Sequence, residues 1–297
     1  MTDIVRTITP APTPGAAFMR ALKSFALIRE SWVGMIGTGL VVFWIVVALA
    51  APVIAPFEPN ATLQPFAKPG VAFTKGGIFW LGTDHIGRDI LSRIIWGSRA
   101  VLLYAPLATI CAYTVGIVMG LAAGYFRGWI DELLSRLADI ILSFPVLVLY
   151  IIIIATIGAS ALNIIVAITF ASAPGIFRIV RGLVLDLRNR DYVAAAQTRG
   201  ESSWQIMLVE ILPNARGPLI VDACLRLGYV IITIGVLGFL GLGLPPPDPD
   251  WGGMINETRQ MALAFPHMSV FPCVAISSLI LGFNLLADGL REISLRD

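Results

Sequence analysis

Charge is what this chain lacks most. Of its 297 residues, 13% are Asp, Glu, Lys or Arg and 57% are hydrophobic, whereas soluble domains carry about 25% charged residues. The mean hydropathy is +0.83. No Asp, Glu, Lys or Arg occurs in 31–57, 100–126, 140–177, 227–247 or 260–287. A hydrocarbon core about 30 Å thick needs about 20 apolar residues as helix. These gaps therefore exclude a soluble protein, whose buried helices would be shorter and show polar faces at helical period. Histidine is nearly missing too, with only His85 and His267, and there is no His-Glu-x-x-His zinc helix. No Gly-x-x-x-x-Gly-Lys-Ser/Thr loop is present, so the chain is not expected to bind or hydrolyse ATP by itself. The spans offer no nucleophile–base pair for a membrane-embedded hydrolase. Cys111, Cys224 and Cys273 form no Cys-x-x-Cys pair and read as small apolar filler, not metal or redox centres. Without a basic patch or an aromatic platform, a nucleic-acid role has no support. Residues 1–30 are Thr/Pro-rich and charged, lacking the apolar core of a cleavable signal peptide.

What is present is a set of apolar runs. The run 140–177 is about twice the length of one span, and GASALN at 158–163 supplies a turn near its middle. Six spans follow, at about 33–56, 100–124, 139–157, 162–184, 217–243 and 269–290. The expected class is an all-α integral membrane protein, because lipid leaves open backbone groups unsatisfied. An even count puts both termini on one side, and Lys and Arg decide which. With the termini inside, the inner side receives Arg6, Arg20, Lys23, Arg29, Arg127, Arg136, Arg178, Arg181, Arg188, Arg190, Arg199, Arg216, Arg291 and Arg296. The outer side receives Lys68, Lys75, Arg88, Arg93, Arg99 and Arg259. Both termini are expected in the cytoplasm.

Three regions result. Residues 1–32 form a cytoplasmic tail, in which 18–29 makes an interfacial amphipathic helix with Phe18, Leu22, Phe25 and Ile28 on one side. Residues 33–99 carry the first span and an outer segment. Residues 100–297 form a core of five spans that includes a polar inner loop at 186–217. Charges within spans are few. Asp222 and Arg226, spaced i, i+4 near the inner end of the fifth span, are placed to pair. With Asp139 and Asp288 they read as boundary or packing charges; a proton- or sodium-driven transporter would place a carboxylate at mid-depth. Thr156, Asn163, Thr169, Ser172, Thr233 and Asn284 lie further in. Small residues favour close helix packing, and a polar path would be lined in the same way.

The outer segment contains Pro56, Pro59, Pro65 and Pro69, so it reads as loop, not as a folded domain. It continues LGTDHIGRDILSR at 81–93. Gly82 and Gly87 permit tight turns, with Thr83 beside the first. Asp84, Arg88, Asp89 and Arg93 are placed to pair with one another. Asp84, His85 and Asp89 make a conceivable metal set, but the neighbouring arginines favour a structural loop. The spacing of Ile90, Ile94 and Ile95 predicts a helix leading into the second span. On the inner side, Asp131 and Glu132 mark a helix start. The outer run PPPDPDWGG at 245–253 is too rich in proline to continue a helix; it is expected to end the fifth span and shape a vestibule.

The inner loop has its own logic. Asn189 or Asp191 is suited to cap a helix. Tyr192, Val193, Ala195, Ala196 and Gln197 favour a short one, and Gly200 lets the chain leave with positive φ. Glu201 to Trp204 starts another, with Ile206, Met207, Leu208 and Ile211 facing apolar surroundings, before a helix-stopping Pro213. Two short helices meeting at a glycine make a compact knob. It either seats in a groove on a cytosolic partner or rests on lipid; the residues alone leave both open.

This loop resembles the coupling loop of ATP-binding-cassette importer permeases, whose pattern is Glu-Ala-Ala, three residues, Gly, then a later Leu-Pro. Ala195, Ala196, Gly200, Leu212 and Pro213 match, while Ala194 stands where glutamate is usual. LGTDHIGRDILSRIIWGSRA (81–100), with its LGTD-x-x-GRD signature, resembles the C-type permease of dipeptide, oligopeptide and nickel importers. GFLGLGLPPPDPDWG (238–252) and NLLADGLRE (284–292) resemble the same family. The resemblance covers 20–297 and implies a type I importer permease fold in a bacterial cytoplasmic (inner) membrane. It also implies a homologous B-type permease, two cytosolic ATPase subunits and an extracytoplasmic substrate-binding protein as partners within the lipid bilayer. No cofactor is expected on this chain; ATP and Mg belong to the ATPase subunits. The implied cargo is a di- or oligopeptide, with nickel chelates, glutathione or another small polar solute as the alternative. An ion-coupled secondary transporter working alone is the rival from another class.

Overall fold

A computed structural model describes residues 31–73, 76–245 and 247–294. The expected tail helix at 18–29, Lys75 and Arg296 lie outside the described residues. The first helix, α1 (Trp32–Ile54), starts at Ser31, whose hydroxyl accepts from the Gly34 N–H at 3.3 Å. A loop follows with a two-residue hairpin, β1 (Val71–Ala72) antiparallel to β2 (Ile78–Phe79). Next come α2 (Ile90–Phe126), α3 (Gly128–Leu142), α4 (Val146–Ile157), α5 (Ala161–Leu187) and α6 (Asp191–Thr198). The chain ends in α7 (Ser203–Phe239), α8 (Trp251–Thr258) and α9 (His267–Ser294).

Five helices, α1, α2, α5, α7 and α9, are long and apolar enough to cross a membrane. The third span expected at 139–157 falls on α3 and α4, which together could form one and meet at a bend of 88°. Pro145 sits at the start of α4, where its missing N–H breaks the hydrogen-bond ladder. The twelve residues of α4 reach only about 18 Å.

The fifth span is corrected at both ends. It begins at Ser203 and passes through Pro213 without stopping. A widened turn over Ile206–Ile211 ends with the Leu212 N–H bonded to the Met207 carbonyl. Pro213 then opens the α-helical register, a position where a missing N–H and a fixed φ are tolerated. At the far end the helix finishes at Phe239 and the chain turns through Gly241 (φ 78°), before the proline run is reached.

Glycines set a close seam between α2 and α5. A Cβ on Gly116, Gly120 or Gly124 of α2 would fall 2.5–2.7 Å from Ile176, Val180 or Val184 of α5. The two helices therefore meet backbone against side chain along two turns, the small-residue packing that substitutes for a hydrophobic driving force in lipid. Two cores result. One, around Trp44, Ile94, Ile154, Ile168, Leu237 and Trp251, holds the bundle toward the LGTD end. The other joins Val180 and Val184 to Val193, Ala196, Met207 and Ile211 at the opposite end.

Candidate functional site

The second core carries a knob. After α5 the backbone makes one turn, and α6 begins at Arg190, which offers no side-chain cap. Neither expected cap is used: the Asn189 amide donates back to the Leu185 carbonyl at 3.2 Å, and Asp191 is already the first helical residue. There its charge still favours the helix N-terminus. The end of α6 follows the expectation. Gly200 has φ 77°, its N–H bonds the Gln197 carbonyl at 3.0 Å, and the Glu201 N–H bonds the Ala196 carbonyl at 3.2 Å. These are the two reversed bonds of a Schellman stop. A Cβ on Gly200 would meet nothing within 4 Å, so the requirement for glycine is conformational, not steric. Ser202 then caps α7, accepting from the Gln205 N–H at 3.3 Å.

One face of the knob is fixed and the other free. Val193, Ala196, Ile206, Met207 and Ile211 are buried against Val180 and Val184, with Tyr192 and Leu212 packed beside them. Ala194, Ala195, Gln197, Thr198, Arg199, Gly200 and Pro213 face outward, together with Trp204, Leu208 and Val209, each more than half exposed. Arg199 closes the unit by pairing with Glu201 at 2.6 Å and Glu210 at 3.4 Å; neither contact was expected from sequence. Asp191, Tyr192, Ala195, Ala196, Gly200, Glu201, Trp204, Leu212 and Pro213 thus belong to one body. Of the alanine pair, Ala196 is core and Ala195 is surface.

At the other end the signature residues form a brace. Gly82 (φ 81°) and Gly87 (φ 93°) make the expected turns. The Thr83 hydroxyl accepts from the Ala67 N–H at 2.8 Å and donates to the Gln64 carbonyl at 2.6 Å. Asp84 pairs with Arg88 at 2.5 Å. Asp89 does not pair with Arg93: its carboxylate caps α2 through the Ser92 N–H at 2.8 Å and hydroxyl at 2.7 Å. Burial pushes the Asp89 carboxyl above its ordinary range, opposed by those two bonds. Arg88 reaches instead to Glu257 of α8, and Arg93 approaches the same carboxylate at 3.9 Å. Asp250 caps α8, accepting from Gly252 and Gly253 at 3.2 Å each. Its near-complete burial pushes the carboxyl up to about 6. The Trp251 indole donates to the Ile94 carbonyl at 3.0 Å, so the outer loop, α2 and α8 are tied into one piece. Among the described residues no three His, Cys, Asp or Glu side chains converge as a metal set.

Between the two ends lies a charged group. Asp222 and Arg226 pair at 2.7 Å, as expected, and the Tyr113 hydroxyl of α2 donates to Asp222. The guanidinium lies over Gly175, 3.4 Å from where its Cβ would be. Gly175 is midway along α5, so the pair sits deeper than the inner boundary assigned to it from sequence. Nearer that boundary, Asp139 pairs with Arg178 and Asp131 with Arg181, fixing α3 to α5.

Comparison with known proteins agrees with this architecture. The family described as "Binding-protein-dependent transport system inner membrane component" matches residues 116–297. A "Glutathione transport system permease protein GsiD" of Pectobacterium atrosepticum is 40% identical over 213 residues, covering 72% of this chain and 71% of that protein. A "Dipeptide transport system permease protein DppC" of Alkalihalophilus pseudofirmus is 37% identical over 276 residues, covering 91% and 88%. A "Di/tripeptide transport system permease protein DppC" of Pseudomonas aeruginosa is 37% identical over 289 residues, covering 95% and 94%. Among solved structures, a chain of the inward-facing MetNI methionine ABC transporter superposes with a TM-score of 0.56 at 17% identity, covering 70% of this chain and 97% of that one. That likeness concerns the fold alone. The chain belongs to the family of binding-protein-dependent transport system inner membrane components, as a multi-pass transport subunit of type I permease fold and not an enzyme.

Proposed function

We propose that this chain is one of two permease subunits of an ATP-driven importer for di- or oligopeptides, and that 191–213 is its coupling element. The observation that carries the coupling role is the two-faced knob, with Val193, Ala196 and Met207 locked into the bundle and Ala194, Ala195, Thr198 and Arg199 left open. The small side chains of Ala194, Ala195 and Thr198 let another backbone approach closely, and the rigid back transmits displacement instead of absorbing it. An ATPase subunit would grip the open face, a B-type permease would complete the path, and a binding protein would deliver cargo outside. Closure of the ATPase pair would draw the knobs together and tilt α5 and α7, switching access from one side to the other. The peptide assignment rests on the names of the DppC relatives. Glutathione, itself a small peptide, is the second reading, favoured by the relative at 40% identity. The ion-coupled rival needs a carboxylate free to titrate at mid-depth, whereas Asp222 is engaged by both Arg226 and Tyr113. Thr198→Cys in intact cells, probed with a short thiol crosslinker, is expected to capture an ATPase subunit. Crosslinking to lipid alone, or reaction only from outside, would refute the coupling role.

A further inference from the structure

Asp222, Arg226, Tyr229 and Thr233 follow one another on α7 at i, i+4, i+7 and i+11. At helical period they share an arc of about 60° and run about 17 Å along the axis. Neighbouring helices cover this stripe only in part: Tyr113 reaches Asp222, and Arg226 lies over Gly175. Tyr229 is 68% exposed, and the Asp222 and Arg226 side chains keep 22% and 23% of their surface. The Thr233 hydroxyl bonds the Tyr229 carbonyl at 2.9 Å, and the stripe continues sideways where Tyr150 of α4 adjoins Ser172 and Thr233. The exposed apolar residues Ile232 and Phe239 lie roughly a quarter-turn away around the helix. Lipid-facing and polar surfaces of α7 are therefore separate. Ionised groups at mid-depth face a bundle interior or a water-filled cavity, not hydrocarbon.

The guanidinium is also oriented. Its Nε is held by Asp222 at 2.7 Å, and its terminal nitrogens lie 3.4 and 3.5 Å from the vacant side-chain position of Gly175. A guanidinium fork held from behind presents paired donors to a planar anion, the geometry that suits a carboxylate.

We propose that this stripe of α7 lines the translocation path and that Arg226 transiently docks the carboxylate of the passing solute. This rests on the peptide-importer reading above, since every unmodified peptide carries a terminal carboxylate. Asp222 orients the guanidinium and balances its charge when no solute is present, and Tyr229 and Thr233 extend the polar track.

The test uses the importer assembled with its partner subunits, carrying Cys111→Ala, Cys224→Ala and Cys273→Ala. Tyr229→Cys and Thr233→Cys in this background are expected to react with a membrane-impermeant sulfonatoethyl thiosulfonate. The reaction at position 229 should be several-fold faster than with the cationic trimethylammonium analogue. Adding Arg226→Gln should abolish that preference. Separately, Arg226→Gln should lower dipeptide uptake at least tenfold while binding protein still stimulates ATP hydrolysis, and Arg226→Lys should restore a large part of it. The double variant Asp222→Asn/Arg226→Gln, which leaves no unpaired charge, should insert normally and transport no better than the single one. Reaction with N-ethylmaleimide but with neither charged reagent would place the stripe in lipid and overturn the proposal. Normal uptake by Arg226→Gln would remove Arg226 from it. A wild-type complex that imports some other solute but no peptide would sink the peptide reading alone, because the labelling pattern does not depend on the cargo.

Discussion

Gly200 shows how one residue decides the shape of the knob. Its positive φ costs an L-amino acid about 1–2 kcal/mol, yet its surroundings are empty. Gly200→Val is therefore expected to leave the protein inserted while loosening the Schellman stop. ATP hydrolysis by the complex should then persist while uptake falls at least tenfold. Gly200→Asn, which tolerates this conformation, should transport nearly normally. Equal and full uptake by both variants would show that the turn geometry is irrelevant to coupling. Asp250 gives a prediction in pH. Its folded carboxyl sits at about 6 instead of 3.8, so the folded state binds the extra proton more readily. The associated stability, up to about 3 kcal/mol, is full below about pH 4 and lost as pH rises through 6. Thermal unfolding of the detergent-purified chain should therefore shift upward between pH 7 and pH 5, and Asp250→Asn should flatten that dependence. Such residues differ in legibility. Gly82, Gly87 and Gly200 could be read from sequence because only glycine enters positive φ freely. Glu257 could not, because the arginines it serves, Arg88 and Arg93, lie far away along the chain and no local spacing announces it.

At the scale of elements, the α2–α5 seam is a contact sensitive to volume. Gly120 meets Val180 so closely that a Cβ would sit 2.5 Å from it. Gly120→Val is expected to cost about 1–3 kcal/mol by overpacking, measured as a lower melting temperature and poorer recovery of the assembled complex. Gly39 has open space around it, so Gly39→Ala should change neither. The same seam explains part of what sequence revealed. Charge-free runs located α1, α2, α5, α7 and α9, because burial in lipid is written into composition. Where helices extend beyond lipid or break within it, composition is silent. The start of α7 at Ser203 depends on a widened turn ahead of Pro213, and the break between α3 and α4 depends on a single Pro145 inside an unbroken apolar run.

For the whole molecule, the expectation is dependence. The purified chain should show no ATP hydrolysis above background in detergent, whereas the complex with its ATPase subunits should, as a coupled phosphate-release assay would report. The sidedness is testable as well: Trp204→Cys in the cysteine-free background should react with an impermeant thiol reagent in inverted vesicles and not in intact cells. Family and architecture were legible because four motif segments fall in order along the chain, and each one lands on a feature with a physical purpose: knob, brace, outer turn or final helix. The depth of the Asp222–Arg226 pair was not legible, since it depends on where α7 begins. That same beginning has a further consequence. From Trp204 to Phe239 there is one continuous rod of about 55 Å, with its only altered winding in the first few turns. A sideways nudge of 10° at the knob end would sweep the distant tip through roughly 10 Å, more than the width of a dipeptide. On the proposed coupling role no hinge would be needed: length alone would supply gating amplitude, and shortening or softening the shaft should shrink the aperture before it weakens the grip.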